Sequence, residues 1–343
     1  MRLGVEAALV GGRIVRGDVE ITAGDVTAVG LASPGGRGVA VPGFVDLQVN
    51  GFAGVDLLHT DAEGFAGAGH ALAETGVTSY LPTFITAAEE ELVAALREMP
   101  GAPDGARLLG AHLEGPFLSP ARLGAHPATA RRDPDAELLN RLLDAGPVRL
   151  MTLAPELPGA HDLIQALLQR GVTVSFGHSD ATAEEANAGF DLGVHTVTHL
   201  FNAMRPFHHR DPGIVGAALV REDVIVQVIL DGIHVAPETA ALAWRAARGR
   251  LALVTDFTTA PDGRTPDGVL AGGTAPMIEA VRRLHALGAS FEEAVLAATE
   301  IPARIIADPT AGRLAVGLPA DVVVLTDGLE IERVLLAGED RLS

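Results

Sequence analysis

The chain of 343 residues contains no cysteine. That excludes disulfides, thiolate metal sites and cysteine nucleophiles. It also contains no lysine, so all 25 basic residues are arginine. Schiff-base lysines, Walker-type phosphate loops and a lysine-derived metal bridge are excluded with it. Positive charge is scarce altogether. The net charge of −19 argues against a nucleic-acid partner, and an anionic ligand has to be held by a few local arginines against the overall field. No apolar run reaches membrane-spanning length, and the opening MRLGVEAALVGGRIVRGD lacks the basic-then-apolar form of a secretory signal. The expectation is a cytoplasmic protein with no membrane partner.

From about residue 42 to residue 257, short apolar strands alternate with helical stretches. The candidate strands are VPGFVDLQVN (41–50), VTSYLPTF (77–84), RLLGAHLEG (107–115), VRLMTLAPE (148–156), VTVSFGHS (172–179), HTVTHLFN (195–202), VIVQVILDG (224–232) and LALVTD (251–256). This α/β alternation predicts a parallel (β/α)8 TIM-like barrel. The helix after HTVTHLFN carries the weakest signal. Both chain ends read instead as short strands broken by glycine turns, and neither is long enough to bury a core alone. The expected organisation is a small β-sandwich domain built from 1–41 plus 308–343, beside a barrel over 42–307.

In such barrels, chemistry collects where strands finish. Here the third strand ends at Glu114, the fifth at His178, the sixth at His199, the seventh near His234 and the eighth at Asp256, while the loop after the third strand holds His126. A lone histidine or glutamate is more often a hydrogen-bonded structural residue. Five strands ending this way is harder to explain as packing, because each unpaired buried charge costs several kcal/mol. Glu114, His178 and His199 form a set of two nitrogens and one oxygen that suits a single divalent ion with an open position for water; zinc is the leading expectation, with iron or another divalent ion compatible. Asp256 is placed to take that water's proton and pass it to a leaving amine. His112 reads as a supporting or packing residue, and His195, deeper on its strand, as structural.

The segments PGFVDLQVNG, GAHLEGPF…GAH, VSFGHSDATAEEA, THLFNAM, DPGIVGAALV, DGIHV and LVTD occur in the order found in N-acetylglucosamine-6-phosphate deacetylases, a family within the amidohydrolase superfamily, which the chain resembles over nearly its whole length. The closing GRLAVGLPADVVVL is similar to that superfamily's carboxyl-terminal β segment. The resemblance implies metal-dependent deacetylation of a phosphorylated N-acetyl amino sugar, with Glu114, His178 and His199 as metal ligands and Asp256 as general base and acid. It implies Ala125, Asn202 and Ala203 against the sugar, and His126 against the acetyl oxygen or a hydroxyl. Arg210 and His234 match the family's phosphate-binding pair, reached across a homodimer interface. Leu270, Ala271 and Gly272 fall near its last substrate segment. From the residues alone, Arg210 reads as a solvated loop charge or a partner of Asp211.

Two departures bear on function. The first strand reads Asp46-Leu47-Gln48-Val49-Asn50, where many two-metal amidohydrolases carry His-x-His, so one metal per chain is expected. The stretch after Asp256, FTTAPDGRTPDGVLAGGTAPM, is shorter than in the related enzymes. That predicts a shortened substrate-covering wall, with Phe257 crowding the pocket. Two alternatives follow: an amidohydrolase acting on N-acetylgalactosamine 6-phosphate or another N-acyl amine, and a non-catalytic binder of an amino-sugar phosphate.

Overall fold

The computed structural model describes residues 1–32 and 36–342. The expected small-domain segments include Ser33, Pro34, Gly35 and Ser343, which lie outside the described residues. The barrel strands are β1 (Phe44–Val49), β2 (Val77–Ile85), β3 (Ala111–Glu114), β4 (Val148–Leu153), β5 (Thr173–Phe176), β6 (Thr196–Val197), β7 (Ile225–Ile229) and β8 (Leu251–Val254). Each pairs in parallel with the next from β1 to β8. Every residue of β1, β3, β7 and β8 is buried, as expected for strands covered on both faces. The predicted third strand is split. Arg107–Leu108 pairs separately with β2, and Gly110 breaks the run at φ 116, where a Cβ would lie 2.7 Å from the Pro147 carbonyl oxygen.

The barrel interior is polar in its upper layer and apolar below. The His112 ring bridges Thr83 Oγ1 at 3.2 Å and Thr152 Oγ1 at 2.7 Å, and Thr152 continues to Thr198 at 2.7 Å. Burial pushes His112 down to about 4, so the imidazole is neutral at pH 7. Beneath this layer, Val45, Leu47, Leu81, Leu150 and Ile225 pack with Ile301, Ile305 and Ile306. The helix Glu300–Ile305 thus plugs the bottom of the barrel, and His195 Nε2 meets the Ile305 carbonyl at 3.1 Å. The helix after β6, Gly213–Val220, is buried from residue 213 through 219. With no polar face, it has no helical periodicity to read.

A six-stranded sheet stands apart from the barrel. Its order is Glu339–Asp340, Ile331–Leu336, Val322–Leu325, Val39–Pro42, Ala7–Val10, Arg13–Arg16, so both chain ends meet around Val39–Pro42. That central strand runs through Gly43 directly into β1. Gly43 has no room for a Cβ, which would fall 2.2 Å from Thr78 Cγ2.

The seam between β1 and β8 lacks a regular ladder. A parallel bridge joins Val49 to Phe257, and the Phe257 carbonyl accepts from the Asn50 and Gly51 N–H groups at 2.8 and 3.1 Å. Lower down, the buried Asp46 carboxylate accepts from Thr255 Oγ1 at 2.5 Å and from the Thr255 and Gln48 N–H groups at 3.2 and 3.3 Å. Burial pushes this carboxyl up to about 6, against the hydrogen bonds from Thr255 and Gln48. The folded state therefore holds its proton more tightly than the unfolded chain does. The group's contribution to stability is complete below about pH 4 and is lost as pH rises through about 6. In denaturant unfolding at a series of pH values, the difference between wild type and Asp46→Asn should move against the wild type by up to about 3 kcal/mol over that window. A difference independent of pH would show that Asp46 titrates normally in the folded protein.

Candidate active site and metal centre

Glu114 is the last residue of β3, and Gly115 turns the chain away behind it at φ 90. His178, His199 and Asp256 follow β5, β6 and β8. All three hold positive φ, at 49°, 28° and 50°. Non-glycine residues in this region cost about 1–3 kcal/mol each, a strain retained where surrounding structure imposes it and concentrated at functional sites. The three kinks aim side chains from separate strand ends at one point.

At that point Glu114 Oε1 lies 2.8 Å from His199 Nε2 and 3.2 Å from His178 Nε2, and the two imidazole nitrogens are 3.2 Å apart. Gln48 Nε2 donates to the same oxygen at 3.1 Å. His178 Nδ1 donates to the Arg122 carbonyl at 2.9 Å. That bond fixes the tautomer and leaves a lone pair on Nε2, facing a carboxylate oxygen and a second imidazole nitrogen. Three electron-rich atoms so disposed call for a cation, and the donor set fits a divalent metal. Burial alone would raise the Glu114 carboxyl, but the polar surroundings formed by His126, His178 and His199 outweigh it and hold it well below the usual range.

Asp256 is 8 % exposed, beside this cluster. Burial first, then the Glu114 charge, pushes its carboxyl up to about 8; a bound cation opposes both effects. Asn50 Nδ2 donates to Asp256 Oδ1 at 2.7 Å and holds the carboxylate in place. His126 Nδ1 accepts the Thr86 N–H at 3.3 Å, so its Nε2 carries the hydrogen and stands 3.5 Å from Glu114 Oε2. Burial pushes His126 down to about 4, keeping it a neutral donor.

Asn50, Glu114, His126, His178, His199 and Asp256 line a cavity of about 480 Å3 together with Ala125, Asn202, Ala203, His234, Leu270, Ala271 and Gly272. Of the candidate catalytic, metal-ligating and substrate-binding residues, only Arg210 lies elsewhere. It is exposed, with Nη1 2.9 Å from His209 Nε2. Asp211 does not pair with it, because Arg205 takes that carboxylate at 2.6 Å. Phe257 also departs from expectation. Its ring packs on Phe52 at 4.5 Å between centroids and is absent from the cavity lining. The short segment after Asp256 still forms a wall, through a bridge between Arg264 and Leu270. Gly272 is required there, since a Cβ would fall 2.3 Å from the Asp256 carbonyl oxygen. Gln48 and Asn50 drew notice in the sequence only as the missing His-x-His. Their alternation with Asp46 along β1 was the signal that all three face inward.

A chain of alternating charges ties the loops together. Arg122, after β3, binds Asp180 at 2.6 Å; Arg205, after β6, binds Asp180 at 3.3 Å and then Asp211. Arg122 thereby fixes the loop whose carbonyl sets the His178 tautomer.

Comparison with known proteins identifies the family. The Amidohydrolase family model matches residues 39–339. This chain is a member of the amidohydrolase family. Within it, N-acetylglucosamine-6-phosphate deacetylase of Mus musculus is 40% identical over 89% of this chain and 83% of its own length. N-acetylgalactosamine-6-phosphate deacetylase of Escherichia coli O157:H7 is 36% identical over 87% and 86%. Among solved structures, the Thermotoga maritima N-acetylglucosamine-6-phosphate deacetylase superposes with a TM-score of 0.91 at 30% identity, covering 99% of both chains. An aspartate-to-alanine mutant of the Mycobacterium smegmatis enzyme, in complex with N-acetyl-D-glucosamine-6-phosphate, superposes with a TM-score of 0.91 at 34% identity over 100% of this chain and 99% of its own.

In this amidohydrolase, Arg122→Gln should weaken metal affinity by about 10–100-fold, the usual cost of removing a group that orients a ligand. Competition with a chelator measures it. Unchanged affinity would mean that the loop holds its carbonyl without the ion pair.

Proposed function

We propose that the protein hydrolyses N-acetyl-D-glucosamine 6-phosphate to D-glucosamine 6-phosphate and acetate, in cytoplasmic amino-sugar catabolism. The observation that carries this is the meeting of Glu114, His178 and His199 with Asp256 at the floor of one cavity. No described helix is long and apolar enough to cross a membrane.

Glu114, His178 and His199 would hold one divalent ion, zinc being the best fit to the donor set. Such an ion lowers the pKa of a water and polarises an amide carbonyl. Asp256 accepts the proton as water adds to the acetyl carbon, and returns it to the nitrogen as the C–N bond breaks. Asn50 keeps one of its oxygens engaged, so the other faces the reacting atoms. The His126 Nε2–H is available to a developing oxyanion or a sugar hydroxyl. Ala125, Asn202, Ala203 and Leu270–Gly272 shape the sugar pocket. The exposed, carboxylate-free Arg210 suits a site completed by a second copy of the chain, where it and the partner's cavity would share the phosphate.

A second reading, hydrolysis of the galactosamine epimer, is favoured by the 36% identity to the Escherichia coli O157:H7 protein of that name. Comparing acetate release from the two epimers decides between them. A protein that binds both tightly and releases no acetate would be a binding protein.

Asp256→Asn should lower turnover by about 10²–10⁴-fold, the usual worth of a general acid–base group, while metal content stays unchanged. A near-normal rate would remove Asp256 from the mechanism. Arg210→Ala should raise KM for the phosphorylated sugar and leave the unphosphorylated one unaffected. Equal effects on both would remove its phosphate role.

A further inference from the structure

Five histidines line the cavity: His59, His126, His178, His199 and His234. Among the described residues no arginine lines it. His126, His178 and His199 converge on Glu114. His59 and His234 stand outside that cluster, and the two are built alike. Each ends an Asp-x-x-His turn, Asp56-Leu57-Leu58-His59 after β1 and Asp231-Gly232-Ile233-His234 after β7. In each, the aspartate Oδ1 accepts the N–H two residues on, at 3.0 Å from Leu58 and 2.8 Å from Ile233. In each, Oδ2 takes the ring Nδ1, at 3.0 Å for His59 and 2.7 Å for His234. An ionised carboxylate only accepts, so Nδ1 carries the hydrogen and Nε2 is left for a ligand.

The two turns flank the loop after β8, His59 on its β1 side and His234 on its β7 side. They differ in depth. The His234 side chain is 5% exposed and that of His59 is 57% exposed. His59 therefore stands at the mouth, while the Glu114 cluster forms the floor. A ligand whose amide reaches the floor leaves its most hydrated group near the mouth. In a chain without lysine, and beside a cavity whose own lining holds no arginine, an Asp-oriented imidazole can supply a charge-assisted donor there: as the imidazolium it keeps Nδ1–H on the aspartate and offers Nε2–H to a phosphoryl oxygen.

We propose that His59, oriented by Asp56, is a further phosphate-recognition residue of this site beside Arg210 and His234, meeting the phosphoryl group at the cavity mouth. The proposal rests on the reading of the substrate as a sugar phosphate.

The test uses the metal-loaded His59→Ala and His59→Gln proteins, with metal content checked against wild type. The ratio of kcat/KM for N-acetylglucosamine 6-phosphate over N-acetylglucosamine should fall about tenfold in His59→Ala, through KM, as for one charge-assisted bond discounted for exposure. His59→Gln should lose less, because its amide keeps an uncharged donor near the Nε2 position. An unchanged ratio overturns the proposal, and so does an equal loss on both sugars, which would place His59 against the sugar ring. Titration calorimetry with D-glucosamine 6-phosphate separates this question from turnover. Weaker binding to His59→Ala than to wild type, with D-glucosamine unaffected, supports the assignment; equal binding, or none to either protein, overturns it. A wild type that binds the product but releases no acetate would sink the deacetylase reading and leave the His59 result standing.

Discussion

A buried carboxylate ringed by imidazole nitrogens is the constraint on which the upper half of the barrel depends. One Glu114 oxygen accepts from Gln48 and lies against His178 and His199 Nε2, and the other faces the His126 N–H. An ionised group so deep is costly unless its lone pairs are met. Four strand ends and the loop after β3 are organised around it, Gln48 and His126 supplying N–H groups and His178 and His199 completing a donor set for a cation. The left-handed backbone at His178 and His199 follows from this demand, because an extended chain would carry those side chains past the point of convergence.

The same demand explains where the polar and apolar layers lie. Threonines and His112 fill the barrel directly beneath the site, each bonded to the next, so the carboxylate rests on a hydrogen-bonded floor. The apolar layer begins only below that. The β1–β8 seam is handled similarly: where ladder bonds are missing, the Asp46 carboxylate supplies acceptors. Its neighbours Gln48 and Asn50 reach Glu114 and Asp256, so one strand face carries both the closure of the barrel and the support of the site.

Much of this was legible in the sequence because strand periodicity and strand ends are local signals. The alternating apolar runs gave the barrel, and ionisable residues just before turns gave Glu114, His178, His199 and Asp256. Side-chain pairing across long separations has no such signature. Asn50 meets Asp256 across 206 residues, and Gln48 meets Glu114 across 66. Asp211 adjoins Arg210 in sequence, yet the fold of the loop pairs it with Arg205 instead. Phe257 points toward Phe52 because the bridge to Val49 orients that peptide, which its hydrophobicity could not reveal.

The placement of Val39–Pro42 between strands from both chain ends has a consequence for biosynthesis. As the chain emerges from the ribosome, Ala7–Val10 is available to pair with this strand from the start, but the partner of its other edge, Val322–Leu325, is made only near the end. The helix that plugs the barrel, Glu300–Ile305, is also made late. A product ending before Val322 would therefore expose an apolar strand edge and, if it also ended before Glu300, an open barrel floor, both surfaces that invite self-association. The active-site face would be nearly complete in such a fragment. Its solubility, rather than its chemistry, would be the first property lost.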